Sequence, residues 1–285
     1  MKTREEIIGK PVDASLIGDV AMPLSSLERI YNMEWVRKAL FLVVMLLAWE
    51  FYARYLGNEL MLPTFEATIT RFFQLMGDGT LFAKAMVSFK SIFVANAIAI
   101  PLAFTLVIVA TLSKPCRDVV ELLTSILSTI PAIAVIPIAM VWFGFSNMTI
   151  TFVLVNAVLW NMAYTINSGF QCVPETLRMV GRNYELSGFL YARHILVPAA
   201  FTSVLTAVKI GWGYSWRTLI AVELLIGASS GNGGVGYFIS ESKNNLDLAG
   251  VFAGLLTVVI IGLFVEFVVF RTIENRTVKK WGMSS

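Results

Sequence analysis

Six ionisable side chains, Glu175, Arg178, Arg182, Glu185, Arg193 and His194, crowd into the stretch Gln171–Pro198, between two long uncharged runs. They do not make a catalytic set. His194 is the only histidine in the chain, which argues against a histidine metal site, and a zinc site would need more ligands than the two cysteines Cys116 and Cys172. What the stretch offers is docking chemistry. Pro174 suits the first position of a helix, and Glu175 follows where the helix dipole favours an acid. Leu177, Val180 and Tyr184 recur at i, i+3 and i+7 as an apolar stripe, with Arg178 and Arg182 as a basic face beside it. Ser187 is a good N-cap for a second short helix over 188–196, and Pro198 closes it. A second group is more isolated. Lys209, Arg217 and Glu223 interrupt an apolar run, and ionisable groups at such depth face a cavity or a partner.

The elements that position these groups belong in a bilayer. The chain has 285 residues, 57% of them hydrophobic and 14% charged, with a mean hydropathy of +0.74. Soluble domains carry nearer a quarter charged residues. A net charge of +3 gives no reason to expect nucleic acid. An all-α membrane protein with about six spans is predicted: 36–56, 86–112, 119–143, 148–170, 207–226 and 248–270. Each has about the 20 apolar residues that a crossing needs. Pro101 is expected to kink the second span, and Pro131 and Pro137 the third. In the first, Glu50 and Arg54 stand in the favourable order for an i,i+4 ion pair. Between the first two spans, Phe65, Ile69, Phe72, Phe73 and Met76 recur at roughly helical spacing, reading as an amphipathic helix at the interface or a contact for an extracytoplasmic partner.

Lys and Arg set the orientation. With the N-terminus inside, fifteen basic residues fall on the cytoplasmic side, against Arg71, Lys84 and Lys243 outside. Both termini and the 171–198 stretch are then cytoplasmic. Residues 1–34 lack a secretory signal's apolar core and read as a cytosolic extension to the permease-like region 35–285.

Within the fifth span Lys209 can snorkel to the near surface. Arg217 lies about 12 Å deeper at 1.5 Å per residue. Glu223 is six residues further and on a different face, so each needs another partner. Arg217 either lines a path or gate, or joins a polar network between spans. Glu223 is either structural or part of an external gate. Trp216, like Trp142, Trp160 and Trp212, packs or lines a pore. Asn156, Asn161 and Asn167 are expected to hydrogen-bond between helices more than to meet a substrate.

The stretch resembles the cytoplasmic loop of permease subunits of ABC importers, patterned E-A-A, three residues, G, nine residues, I-x-L-P. Ile195, Leu196, Val197 and Pro198 match its end. The same count places Glu185 at the family's glycine and Met179, Val180 and Gly181 at its E-A-A. Residues 205–226 and 231–239, together with Leu62 and Pro63, look like the nitrate/sulfonate/taurine/bicarbonate type. The resemblance implies a type I importer permease that pairs with a second permease copy, two cytoplasmic ATPase subunits and an extracytoplasmic substrate-binding protein, in a bacterial inner membrane. ATP and magnesium would be bound by the ATPase. The permease itself would bind no cofactor and catalyse nothing, in keeping with the lack of a G-x-x-x-x-G-K-[ST] phosphate loop. It also implies that the loop's first helix docks on the ATPase. The substrate expected is a small anion: nitrate, a sulfonate, bicarbonate or an organic or aromatic acid. A secondary active transporter of small anions is the alternative.

Glu185 at the glycine position poses a geometric problem, because positive φ costs a non-glycine residue about 1 kcal/mol or more. The expectation is that Asn183 takes that conformation, or that Gly181 and Gly188 shift the turn.

Overall fold

The computed structural model describes residues 33–226 and 233–277. The expectations for the first 32 residues, for the glycine-rich turn at 227–232 and for Lys279 and Lys280 lie outside them. The chain divides into two units, 1–52 and 53–285. All regular structure among the described residues is helical: α1 Glu34–Leu56, α2 Phe65–Gly77, α3 Thr80–Leu112, α4 Lys114–Ser128, α5 Ala132–Phe143, α6 Asn147–Gln171, α7 Glu175–Asn183, α8 Gly188–Ala199, α9 Phe201–Ile226, α10 Val235–Asn244 and α11 Leu248–Arg276. Four helices are long and apolar enough to cross a membrane, or six spans if each of two bent pairs counts as one.

In the first unit α1 is apolar on every side over residues 39–49, as suits a helix surrounded by lipid. Near the start of the second unit Arg54 reaches Glu66 at 3.0 Å.

The second unit is organised around α3, α6 and α9. On α3 the buried positions Ser88, Ile92, Ala95, Ala99, Ala103 and Val107 form one stripe at i, i+3/i+4 spacing. Most are small, and small residues let membrane helices approach closely. Val158, Met162, Ile166 and Phe170 of α6 pack against it in a continuous core with Val204 and Ala207 of α9. Pro101 is accommodated inside α3, where Thr105 Oγ1 donates to its carbonyl at 2.8 Å.

The expected third span is bent at Pro131, as anticipated, but more sharply than a kink. It is two helices, α4 and α5, meeting at 93° across Thr129–Pro131. Pro131 lacks an N–H and disfavours helical backbone at the residue before it. Thr129 Oγ1 donates to the Ile126 carbonyl at 2.6 Å and closes the turn. Pro137 makes no kink, because it sits in the first turn of the α-helical part of α5, where its missing N–H costs nothing. The second bent pair is α8 and α9, at 86°.

Between α1 and α3, the expected amphipathic helix is α2, capped by Thr64 Oγ1 accepting from Ala67 N at 3.1 Å. It turns Phe72 and Leu75 onto Leu81, Phe238 and Ala253, and leaves Phe73 exposed. Arg71 reaches across to Asp247 with two N–H···O bonds, of 3.0 and 2.8 Å.

Candidate functional site

Two places carry the chemistry anticipated in the chain, one at the end of the bundle where α7 and α8 lie, the other at the α4–α5 break.

At the first, Pro174 is the N-cap of α7 and Glu175 its first residue, one position later than expected. Leu177, Val180 and Tyr184 are 40%, 43% and 75% exposed, so the apolar stripe faces away from the bundle. Glu175 pairs with Arg182 at 2.9 Å. Arg178 departs from the anticipated basic face. It folds inward, its Nη2 donating to the Phe170 carbonyl at 2.6 Å and its Nε to that of Val173 at 3.1 Å. These are carbonyls at and just beyond the C-terminal end of α6, which that helix leaves without intrahelical donors. A guanidinium with several fixed donors suits them and interacts well with the helix dipole. Arg178 therefore welds α7 to the end of α6.

The turn after α7 resolves the glycine problem in a way not anticipated. Glu185 itself takes φ +54°, while Asn183 remains helical. The N–H of Leu186 bonds the Gly181 carbonyl at 3.0 Å, and that of Glu185 bonds Arg182 at 2.9 Å. This pair of bonds is a Schellman cap, which demands left-handed backbone at the residue Glu185 occupies. The cap keeps a left-handed turn at this position without a glycine. Gly188 also has positive φ, +54°, and begins α8 after Ser187, whose side chain makes no capping bond. Gly181 is needed for packing, since a Cβ there would lie 2.6 Å from the Tyr191 ring and 3.2 Å from Ile195. Ile195 lies in a π-helical run over 192–196, and Pro198 in the last turn of α8 before the bend into α9.

At the second place, the sharp break between α4 and α5 opens a groove of about 320 Å³. Its polar lining is Ser128 and Thr129 from the break, Asn156 and Asn161 from α6, and Tyr214, Arg217 and Thr218 from α9. Arg217 is exposed and has no hydrogen-bond or ion-pair partner among the described residues. The other charged groups of α9 are satisfied elsewhere. Lys209 does not simply snorkel: it pairs with Glu266 of α11 at 2.7 Å. Glu223 is 2% exposed and points away into the core. Both its oxygens lie 3.0 Å from the donating Ser88 hydroxyl, and Oε2 accepts from Gly236 N at 2.8 Å. Trp216 is buried too, beside Phe89, with centroids 6.1 Å apart. Arg217 thus reaches the groove, while Trp216 and Glu223 are buried away from its lining.

The asparagines of α6 differ from expectation. Only Asn167 reaches another helix, at 3.5 Å from Glu121 of α4. Asn161 donates to the Ala157 carbonyl within its own helix, and Asn156 Oδ1 accepts from Trp160 Nε1 at 2.9 Å. Another interhelical amide is Asn96 of α3, donating to Ser215 of α9 at 2.9 Å. A polar residue in the small-residue stripe of α3 was the available signal for it. Among the described residues no cluster could hold a metal ion.

Residues 96–277 match the family of binding-protein-dependent transport system inner membrane components. The chain is 29% identical over 249 residues to a nitrate import permease of Synechocystis sp., covering 85% of this chain and 89% of that protein. It is 28% identical over 246 residues to a Methanocaldococcus jannaschii protein described as an ABC transporter permease, covering 84% and 90%. A Bacillus subtilis protein described as an aliphatic sulfonates transport permease is 25% identical over 247 residues, covering 86% and 87%.

Proposed function

The chain belongs to the binding-protein-dependent inner membrane component family and is a permease component of an ABC importer, and from that premise we propose that it forms half of an ATP-driven translocation path for a small anion. Two copies would associate side by side, with two ATPase subunits bound at the cytoplasmic end and a substrate-binding protein delivering solute from outside. ATP and magnesium would act on the ATPase alone. On the orientation given by the Lys and Arg bias, α7 and α8 face the cytoplasm, with both termini on that side.

One observation carries the reading. α7 exposes Leu177, Val180 and Tyr184 on a helix tied to α6 by Arg178 and capped at its finish by the Glu185 turn. A short exposed helix this firmly tied to α6 can transmit a push from a partner into the bundle. Without those ties it would yield locally. The contact set is then Pro174, Glu175, Leu177, Val180, Arg182 and Tyr184. Arg178, Gly181, Glu185, Ser187, Ile195 and Pro198 hold its shape. Arg217 would line the path, and the names of the nitrate and sulfonate relatives support an anionic cargo.

The experiment is reconstitution. The chain, purified with its ATPase and binding protein and placed in proteoliposomes, should take up labelled nitrate or a sulfonate only when ATP is present with the ATPase. Uptake driven by an ion gradient, with no ATPase, would overturn the proposal.

A further inference from the structure

We infer that the groove at the α4–α5 break is a substrate site inside the permease, shaped for a monovalent oxoanion that carries a small apolar body. The inference rests on the reading of the chain as an anion importer's permease, and adds to it the residues that hold the head and tail of the cargo.

Charge comes first. Arg217 sits in the middle part of the 26-residue helix α9 and opens into the groove without a carboxylate partner among the described residues. A lone guanidinium at that depth is expensive unless something anionic reaches it. The carboxylates that could have served are committed, Glu223 to Ser88 and Gly236, Glu266 to Lys209. Among the described residues no acidic side chain lines the groove.

The second donor is Asn156. Trp160 Nε1–H can only donate, so the atom it meets on Asn156 must be the carbonyl oxygen. That fixes the amide, leaving Nδ2 with its two hydrogens as the free end, and Asn156 lines the same groove. Two of the nearby hydroxyls do not compete. Ser128 and Thr129 donate back to the carbonyls of Ser125 and Ile126 at 3.3 and 2.6 Å. The head of the site is therefore a planar guanidinium fork and a planar amide, a donor set suited to a sulfonate or carboxylate.

The groove also has an apolar lining, with Leu127, Ile130 and Ile133 contributed at and beside the break. Ile130 and Ile133 are exposed there. Space agrees with this. A bare trigonal anion displaces about two waters' share of volume, ~60 Å³, a small part of about 320 Å³. An apolar body would use the remainder and dehydrate the isoleucines. Modest affinity is what a path requires, since the cargo must also leave.

The test uses the permease assembled with its ATPase in nanodiscs, and reads the melting temperature during titration with sodium butanesulfonate, sodium nitrate and butylammonium chloride. Butanesulfonate should raise the melting temperature saturably, at concentrations about ten-fold lower than nitrate, the effect of burying two methylene groups. Butylammonium should do nothing. Arg217→Gln should abolish the butanesulfonate shift. Asn156→Asp, which keeps the shape and sets a carboxylate against the anion, should abolish it too, and serves alone if Arg217→Gln fails to assemble. An unchanged shift in an assembled variant, or butylammonium matching butanesulfonate, overturns the site. Nitrate acting at the same concentration as butanesulfonate overturns the apolar wall. ATP-driven uptake in the parent protein separates the two readings: if it is present while the variants bind normally, the site fails and the importer stands.

Discussion

Ser88 of α3 and Glu223 of α9 meet at 3.0 Å, and together they hold the start of α10. The serine hydroxyl donates to the carboxylate and accepts from Val235 N at 3.0 Å, while the carboxylate accepts from Gly236 N. Two N–H groups that a helix start leaves without intrahelical partners are thereby satisfied. The approach is close: a Cβ on Gly236 would lie 2.7 Å from both the Glu223 Cβ and the Ile220 carbonyl oxygen. Replacing Glu223 by Ala strands a buried hydroxyl and a buried N–H, at about 1–3 kcal/mol each. The detergent-solubilised protein should melt several degrees lower, Ser88→Ala should cost less, and Gly236→Ala should be at least as damaging. If Glu223→Ala melts normally but transport fails, the carboxylate belongs to a gate and not to the fold.

Arg178 gives a second test, because its contribution depends on shape as well as charge. Lysine cannot span the Phe170 and Val173 carbonyls together. Arg178→Lys should therefore lower coupling between ATP hydrolysis and uptake while leaving the Glu175–Arg182 pair intact, and Arg178→Ala should lower it further. Equal coupling in Arg178→Lys and the parent would show that charge alone holds α7.

These two arrangements mark where sequence reading stops. Helix periodicity locates α6, α7, α9 and α11 because their apolar runs are long or their stripes regular, and the cap residue Ser187 places the start of α8. Partners cannot be read the same way. Arg178 lies four residues from Arg182 and looks like half of a basic face; only the position of the α6 end turns it inward. Glu223 looks like an isolated membrane charge until α3 and α10 bring Ser88 and Gly236 to it. The α4–α5 break was legible only in part, since Pro131 signals a bend but not its sharpness. A membrane proline can kink a helix or end it, and the helical alternative at Pro131 lost to the turn closed by Thr129. Without that break there is no groove at Arg217.

Lys209 and Glu266 pair at 2.7 Å between α9 and α11. Each is more than a third exposed, so the pair contributes little in high dielectric, about 0–1 kcal/mol. Lys209→Glu alone should destabilise modestly by like-charge repulsion, and adding Glu266→Lys should restore the melting temperature. No recovery in the double variant would mean that the two side chains stabilise through other neighbours.

The exposed stripe of α7 makes the prediction most directly tied to the proposed coupling. Leu177→Asp or Val180→Asp puts a charge where a partner would bury an apolar side chain, and neither residue supports the bundle from its exposed position. The permease should keep its melting temperature, lose the ATPase on size-exclusion chromatography, and show uptake near background. Retained ATPase and normal uptake in both variants would move the contact away from α7.

Glu185 allows the opposite kind of change, one that should help. Its φ of +54° costs a side chain roughly 1 kcal/mol that glycine does not incur. Glu185→Gly relieves that cost but also loosens the unfolded chain, which returns part of the gain. The net expectation is a melting temperature unchanged or raised by a few degrees, with the Leu186–Gly181 bond kept. Glu185→Val, β-branched and poorly tolerated at positive φ, should lower both the melting temperature and coupling. If Glu185→Gly instead impairs coupling while the protein stays folded, the glutamate side chain makes a contact of its own with the partner. The strained backbone would then be retained for that contact.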